Sequence, residues 1–154
     1  MSVLTQSSVV AYVCDLAKKN SEALSFIPTP RLERYAEVGQ ILLAEENGEP
    51  CGFIVHGSGW PQMRVYQACV QYDARRREHG MSLVARLADK ARRAGCSEIR
   101  LACADDLEAN RFWAEAGFAL CRQKAGGQRR GRTHNVWALA LSEPPLLALI
   151  GAAQ

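Results

Sequence analysis

The sequence has no apolar run of the eighteen or so residues needed to span a bilayer. Its start, MSVLTQSSVV, has neither the basic residues nor the long apolar centre of a signal peptide. These absences lead to the expectation of a soluble cytoplasmic protein with no membrane partner. The six cysteines, Cys14, Cys51, Cys69, Cys96, Cys103 and Cys121, form no CxxC pair, and most sit inside apolar runs. That spacing argues against a disulfide framework and against a metal site, and suits small buried hydrophobes kept reduced. No internal repeat and no second domain is visible. The 154 residues read as one domain over 1–141 with an apolar tail over 142–154, which packs on the body or on a second subunit.

What is present is an uneven charge. Residues 1–74 carry five Lys/Arg against eight Asp/Glu, whereas residues 75–154 carry fourteen against eight. The second half therefore suits an anionic ligand. Along the chain, 7–19 reads as a helix capped by Ser7 or Ser8, and Thr29-Pro30 starts a second with Thr as cap. Residues 41–46 and 50–56 form strands around Asn47-Gly48, a two-residue hairpin turn. Residues 63–72 are apolar on both faces and read as a central strand. A basic loop follows, then a helix over 82–94 with Leu83, Val84, Leu87, Ala88 and Ala91 on one face. Residues 98–103 are a strand parallel to its predecessor if that helix is a crossover. Asp105 or Asp106 caps a helix that runs to Ala116, and 118–123 and 135–141 pair as a last hairpin. The fold class is α/β (mixed α+β), with about six strands, a central βαβ crossover and two N-terminal helices, which often lie as a lid over one end of such a sheet.

Three stretches carry a resemblance. Val70 is followed by Arg75-x-x-Glu78-x-Gly80 and then Leu83-Val84; Asn110-Arg111-Phe112-Trp113-Ala114-Glu115-Ala116-Gly117-Phe118 runs from a helix into a strand; and the Asn-Gly hairpin precedes both. In this order they resemble the GNAT (general N-acetyltransferase) superfamily over residues 40–141. The first is similar to its pyrophosphate loop and the second to its N-x-F-Y-x-x-x-G-F segment. The resemblance implies a splayed sheet whose central parallel strands separate for the pantetheine arm of acetyl-CoA, the acyl donor. It implies that backbone N–H groups of Arg76, Arg77, Glu78, His79, Gly80 and Met81 hold the pyrophosphate, with Arg75 at the motif's Gln/Arg position. A strand feeding a helix N-terminus suits an anion. Backbone of Cys69 and Val70 would pair with pantetheine as an added strand does, and the Asn110 amide would contact the cofactor arm. Glu78 stands where the family usually has its first glycine, and a carboxylate there opposes a pyrophosphate unless it points outward.

Transfer to an amine needs a base, a polarised thioester and a leaving thiolate. The family's strand Glu falls near Gln67, which takes no proton. Its acidic Tyr falls at Trp113, a packing residue here. His56, Tyr66 and Tyr72 remain as candidate catalytic residues, and His134 lies beside the expected acceptor side. That side, where the early helices meet the last hairpin, gathers Arg122, Lys124, Arg129, Arg130, Arg132 and His134, which suits an anionic acceptor, nucleic acid included. The segment lacks the interleaved aromatics of a single-strand binder. Two readings follow: acetyl transfer from acetyl-CoA to a primary amine by direct attack in a ternary complex, or a nucleic-acid-associated protein on the same fold with lost or altered chemistry.

Overall fold

The computed structural model describes residues 4–71, 76–125 and 131–141, and of Arg76 and Arg77 the backbone only. The expected apolar tail, the strand end at Tyr72, the motif position Arg75 and the cations Arg129 and Arg130 lie outside the described residues.

Helix α1 spans Gln6–Lys19 and α2 spans Thr29–Glu37. The α1 cap is Thr5, whose Oγ1 accepts from the Ser8 N–H at 3.1 Å; Ser7 and Ser8, the expected caps, lie inside the helix. Pro28 rather than Thr29 occupies the α2 cap, so Thr29 and Pro30 open its first turn. Val10, Val13 and Leu16 recur along one face of α1 and are buried with Leu32 of α2 against Phe53 and Val55. The two helices therefore cover a face of the sheet, not only its end.

Strands β1 (Ile41–Glu46) and β2 (Glu49–His56) pair antiparallel through Asn47 (φ 54°) and Gly48 (φ 81°). Both turn residues have positive φ, as a type I′ turn requires. Strand β3 (Gln62–Val70) pairs antiparallel with β2, and β4 (Glu98–Ala104) runs parallel to β3 after helix α3 (Arg76–Arg93). Helix α4 (Ala109–Glu115), β5 (Ala119–Ala125) and β6 (Thr133–Ala140) complete the described chain, and the sheet order is β1-β2-β3-β4-β6-β5. The mixed six-stranded sheet with a central crossover is the expected one. Leu83, Leu87 and Ala91 of α3 pack with Ile99, Trp113 and Phe118 on the face opposite α1 and α2. Burying such a side chain stabilises the fold by about 1.5–3 kcal/mol.

Two helix starts differ from the sequence reading. Helix α3 begins at Arg76, six residues before the expected start, because 76–79 contain no helix breaker and Gly80 is tolerated inside it. Helix α4 begins later than expected, with Glu108 before it and no side-chain cap. Asp106 does not cap it, and its carboxylate instead binds Arg132 at 2.9 Å.

Strand β3 also carries a shift. Val55 pairs with Gln67 but His56 pairs with Val65, so Tyr66 is an extra residue in the ladder. One extra residue exchanges the two faces of a strand. Met63, Val65, Ala68 and Val70 thus all pack toward α3, while Cys69 packs among α1 and α2.

Candidate functional site

Strands β3 and β4 pair only at Gln62↔Glu98, Met63↔Ile99 and Arg64↔Arg100. Both continue, to Val70 and Ala104. Among the described residues, β3 beyond Arg64 is paired with β2 on one side and has no strand on the other, and β4 there is paired with β6 only. The central parallel pair therefore opens into a gap whose edges offer unpaired backbone donors and acceptors.

Two cavities meet at this gap. The first, the gap cavity, has a volume of about 510 Å³ and is walled by Ala68, Cys69 and Val70 of β3, Gly80, Leu83 and Val84 of α3, and Leu107, Arg111 and Phe112 beside β4. The second, the loop cavity, has a volume of about 620 Å³. Its walls are Cys14, Ala17 and Lys18 of α1, the 21–27 connection, Leu32 of α2, Gln67 of β3, Ala104 of β4, and Arg132 and His134 at β6. Ala23 and Leu24 line both, so the two are contiguous.

The gap cavity meets α3 at Gly80, one turn inside its N-terminus. The first N–H groups of a helix are not spent within it, and the start of α3 at Arg76 carries the positive end of the dipole. Gly80 and Met81, expected among those donors, lie deeper in the helix, where N–H groups are spent on the preceding turn. Gly80 has a different use. A Cβ there would stand 2.8 Å from a Phe112 ring carbon, so glycine lets α4 close on α3. Glu78 is exposed in the first turn and does not line the cavity. Nε2 of His79 lies 3.6 Å from a Glu46 carboxylate oxygen, which ties the helix start to the β1 hairpin.

Cys69 and Val70 line the gap, with the strand edge free to pair. Burial pushes the Cys69 thiol up to about 11. Cys103, on the β4 side, is also pushed up to about 11, by burial and then by Asp106, against the opposing effect of Arg132. Neither thiol is a nucleophile near neutral pH.

Asn110 works differently from the expectation. Its Nδ2 donates to the carbonyls of Ala104 and Leu107, both at 2.8 Å, and its Oδ1 accepts from Asn135 Nδ2 at 3.0 Å and Trp137 Nε1 at 2.9 Å. All four hydrogen-bonding positions are taken within the protein, and none is left for a cofactor arm. Asn110 holds the turn after β4 to β6. Trp113 is buried and meets Phe112 and Phe118 edge-on at 5.0 and 5.2 Å, as a packing residue.

Two candidate catalytic residues fall outside both cavities. His56 is 1% exposed. Its Nδ1 lies 2.7 Å from the Gly57 carbonyl and its Nε2 lies 3.2 Å from Lys90 Nζ, which also donates to the Gly39 carbonyl. A neutral ring fits both bonds, donating from Nδ1 and accepting at Nε2. Burial lowers its pKa; the Gly57 bond opposes this and the Lys90 charge adds to it. His56 thus joins β2 to the far half of α3. Tyr66, the bulge residue, is 42% exposed and stacks on Tyr35 with ring centroids 5.5 Å apart. Tyr72 lies outside the described residues.

The basic cluster is divided. Arg122 and Lys124 stand exposed on β5, the outer strand. Arg132 turns inward, donates to the Glu22 carbonyl at 2.8 Å and pairs with Asp106. With His134 it lines the loop cavity, together with Gln67, which is 3% exposed. Gln67 and His134 are the residues a sequence reading undervalues. The inward direction of Gln67 depends on the bulge, and His134 faces the cavity only because β6 inserts between β4 and β5.

Residues 10–118 match the model of the Acetyltransferase (GNAT) family. No curated protein matches the chain by sequence. Among solved structures, the fold is similar to yncA of Salmonella typhimurium, determined with its cofactor acetyl-CoA: TM-score 0.72, 20% identity, covering 92% of each chain. It is also similar to the ribosomal-protein-S18-alanine N-acetyltransferase of Escherichia coli, with TM-score 0.68, 16% identity and 94% of each chain covered. For the aminoglycoside 6'-N-acetyltransferase of Enterococcus faecium the TM-score is 0.64 at 15% identity, covering 76% of this chain and 81% of that one. The family match spans well over half of the sequence, and the chain belongs to the GNAT family of acetyltransferases.

Proposed function

We propose that the protein transfers the acetyl group of acetyl-CoA to a primary amine by direct attack in a ternary complex. The observation that carries this reading is the gap between β3 and β4, open along both strand edges among the described residues and walled by Gly80, Leu83 and Val84 near the start of α3. A diphosphate suits that helix start, and the amides of a pantetheine arm suit the edge at Cys69 and Val70. The exposed Glu78 leaves the cavity free of its carboxylate. The yncA structure with acetyl-CoA supports the choice of donor for this fold.

Direct attack is favoured over a covalent acyl-enzyme because Cys69, the one thiol on the gap wall among the described residues, is half-buried and its pKa is raised by burial, away from the thiolate form. Unpaired N–H groups on the open edge of β3 would polarise the thioester carbonyl. Positioning two substrates in contiguous cavities supplies much of the rate. Isothermal titration with acetyl-CoA is the test. Saturable binding, followed by amine-dependent release of free CoA thiol, is expected; no binding at high micromolar concentration would overturn the reading.

A further inference from the structure

Four buried side-chain polar atoms lack a partner among the described residues, and two of them, Gln67 Oε1 and His134 Nδ1, belong to walls of the loop cavity. The sheet explains their meeting. His134 is in register with Ala104 at the end of β4. Gln67 follows Arg64, the last β3 residue paired with β4, and the bulge at Tyr66 turns it toward α1 and α2. The two side chains thus stand across the gap from one another, on one face of the sheet. The Gln67 amide is fixed in orientation, because its Nε2 donates to the Ser25 carbonyl. A flipped amide would set oxygen against oxygen, so Oε1 stays the free acceptor. In the tautomer that carries its proton on Nε2, His134 Nδ1 is an acceptor too.

Two unpartnered acceptors in one cavity call for a ligand with two or more N–H groups on one atom, which is what a primary amine has. The rest of the wall is mainly apolar, with Ala17, Leu24, Ile27 and Leu32, and the volume suits a small molecule. The charged groups facing His134 are Asp106 and Arg132, bound to each other, Lys18 and Glu22 on the cavity wall, and Lys124 in register on β5.

We propose that Gln67 and His134 grip the acceptor amine between them, that His134 is its base, and that the acceptor is a small primary amine on an apolar carrier. This deepens the acetyltransferase reading and rests on it. The ammonium form gives one proton to His134 Nδ1. The freed lone pair attacks the thioester carbonyl carbon; the C–N bond forms and the C–S bond breaks. The second amine proton leaves with the CoA thiolate as thiol, and His134 returns its proton to water. Gln67 accepts from the amine throughout.

The test uses the full chain, acetyl-CoA and 2-phenylethylamine as probe. His134→Gln is expected to keep acetyl-CoA affinity within about twofold while kcat/KM for the probe falls about 100-fold or more at pH 7 and the rising limb of the pH–rate profile is lost. In the wild-type protein carrying CoA, the probe should shift the imidazole ¹⁵N resonances of His134, a measurement that needs no variant. An unchanged rate and pH profile in His134→Gln would overturn the proposal. So would unmoved His134 resonances, or turnover of a polar tripeptide with none of the probe. A wild-type protein that fails to bind acetyl-CoA would overturn the acetyltransferase reading itself, and the proposal with it.

Discussion

The two cavities are built by opposite means. The gap cavity lies mainly along two short stretches, the β3 edge at Cys69 and Val70 running on to α3 at Gly80, and the turn and helix after β4 that bring Phe112 against that glycine. The loop cavity is made of side chains from α1, α2, the connection between them, and three strands. A ligand held by main-chain groups needs local geometry, which one continuous segment can encode. A ligand held by side chains needs residues far apart in sequence to converge, and each can change without disturbing the others. On the proposed function, the donor end is the stable element and the acceptor end is where specificity resides.

The largest expected effect breaks the gap cavity alone. Gly80→Glu places a side chain where a Cβ already meets Phe112 at 2.8 Å and adds negative charge beside the phosphate donors. Acetyl-CoA affinity should fall by about a thousandfold or more, roughly 4 kcal/mol by calorimetry, with helicity retained by circular dichroism. Unchanged affinity would place the cofactor elsewhere. Asn110→Ala tests the corner after β4, between a wall residue of the loop cavity, Ala104, and one of the gap cavity, Leu107. It strips the acceptor from Asn135 Nδ2 and Trp137 Nε1, and each buried donor left unpaired costs about 1–3 kcal/mol. A loss of about 2–4 kcal/mol in urea denaturation is expected, with a change in Trp137 emission; a loss below about 1 kcal/mol would mean that the corner is held by other contacts.

A smaller effect separates structural from catalytic histidine. His56 has a lowered pKa in the folded chain, mainly through burial. Its contribution is fully present above the ordinary value of 6.5 and is lost as pH falls from there through the folded value. His56→Gln should flatten the fall in melting temperature between pH 7.5 and 5.5 and leave the amine pH–rate profile in place. A lost rising limb in that variant would return His56 to the site. The smallest effect concerns the loop-cavity rim. Asp106, whose side chain is 61% exposed, pairs with Arg132, and Asp106→Asn should cost less than about 1 kcal/mol. A shift in KM for the amine without a shift in acetyl-CoA affinity would sharpen the division between the cavities.

Much of the sheet was legible because its signals are local. Asn47-Gly48 dictates a hairpin, and the apolar stripe of α3 dictates a crossover helix. The helix after β3 was legible through its Leu83-Val84 stripe, although it was placed six residues too late because Gly80 reads as a loop residue until Phe112 is seen against it. Asn110 drew notice from its motif alone, whereas the bonds it makes run to residues of β6 far along the chain. The acceptor side was least legible. No pattern marks the bulge at Tyr66, and without it strand alternation sends Gln67 to the wrong face. His56 attracted notice as a histidine at a strand end, yet the partner that explains it, Lys90, is thirty-four residues away.

A crystal structure of the protein with acetyl-CoA tests most directly whether the two cavities form one reaction path. The account predicts the diphosphate at the first turn of α3, the pantetheine arm along Cys69 and Val70, and the thioester opening toward Gln67 and His134. A thioester directed away from the loop cavity, or a cofactor bound outside the gap between β3 and β4, would contradict it.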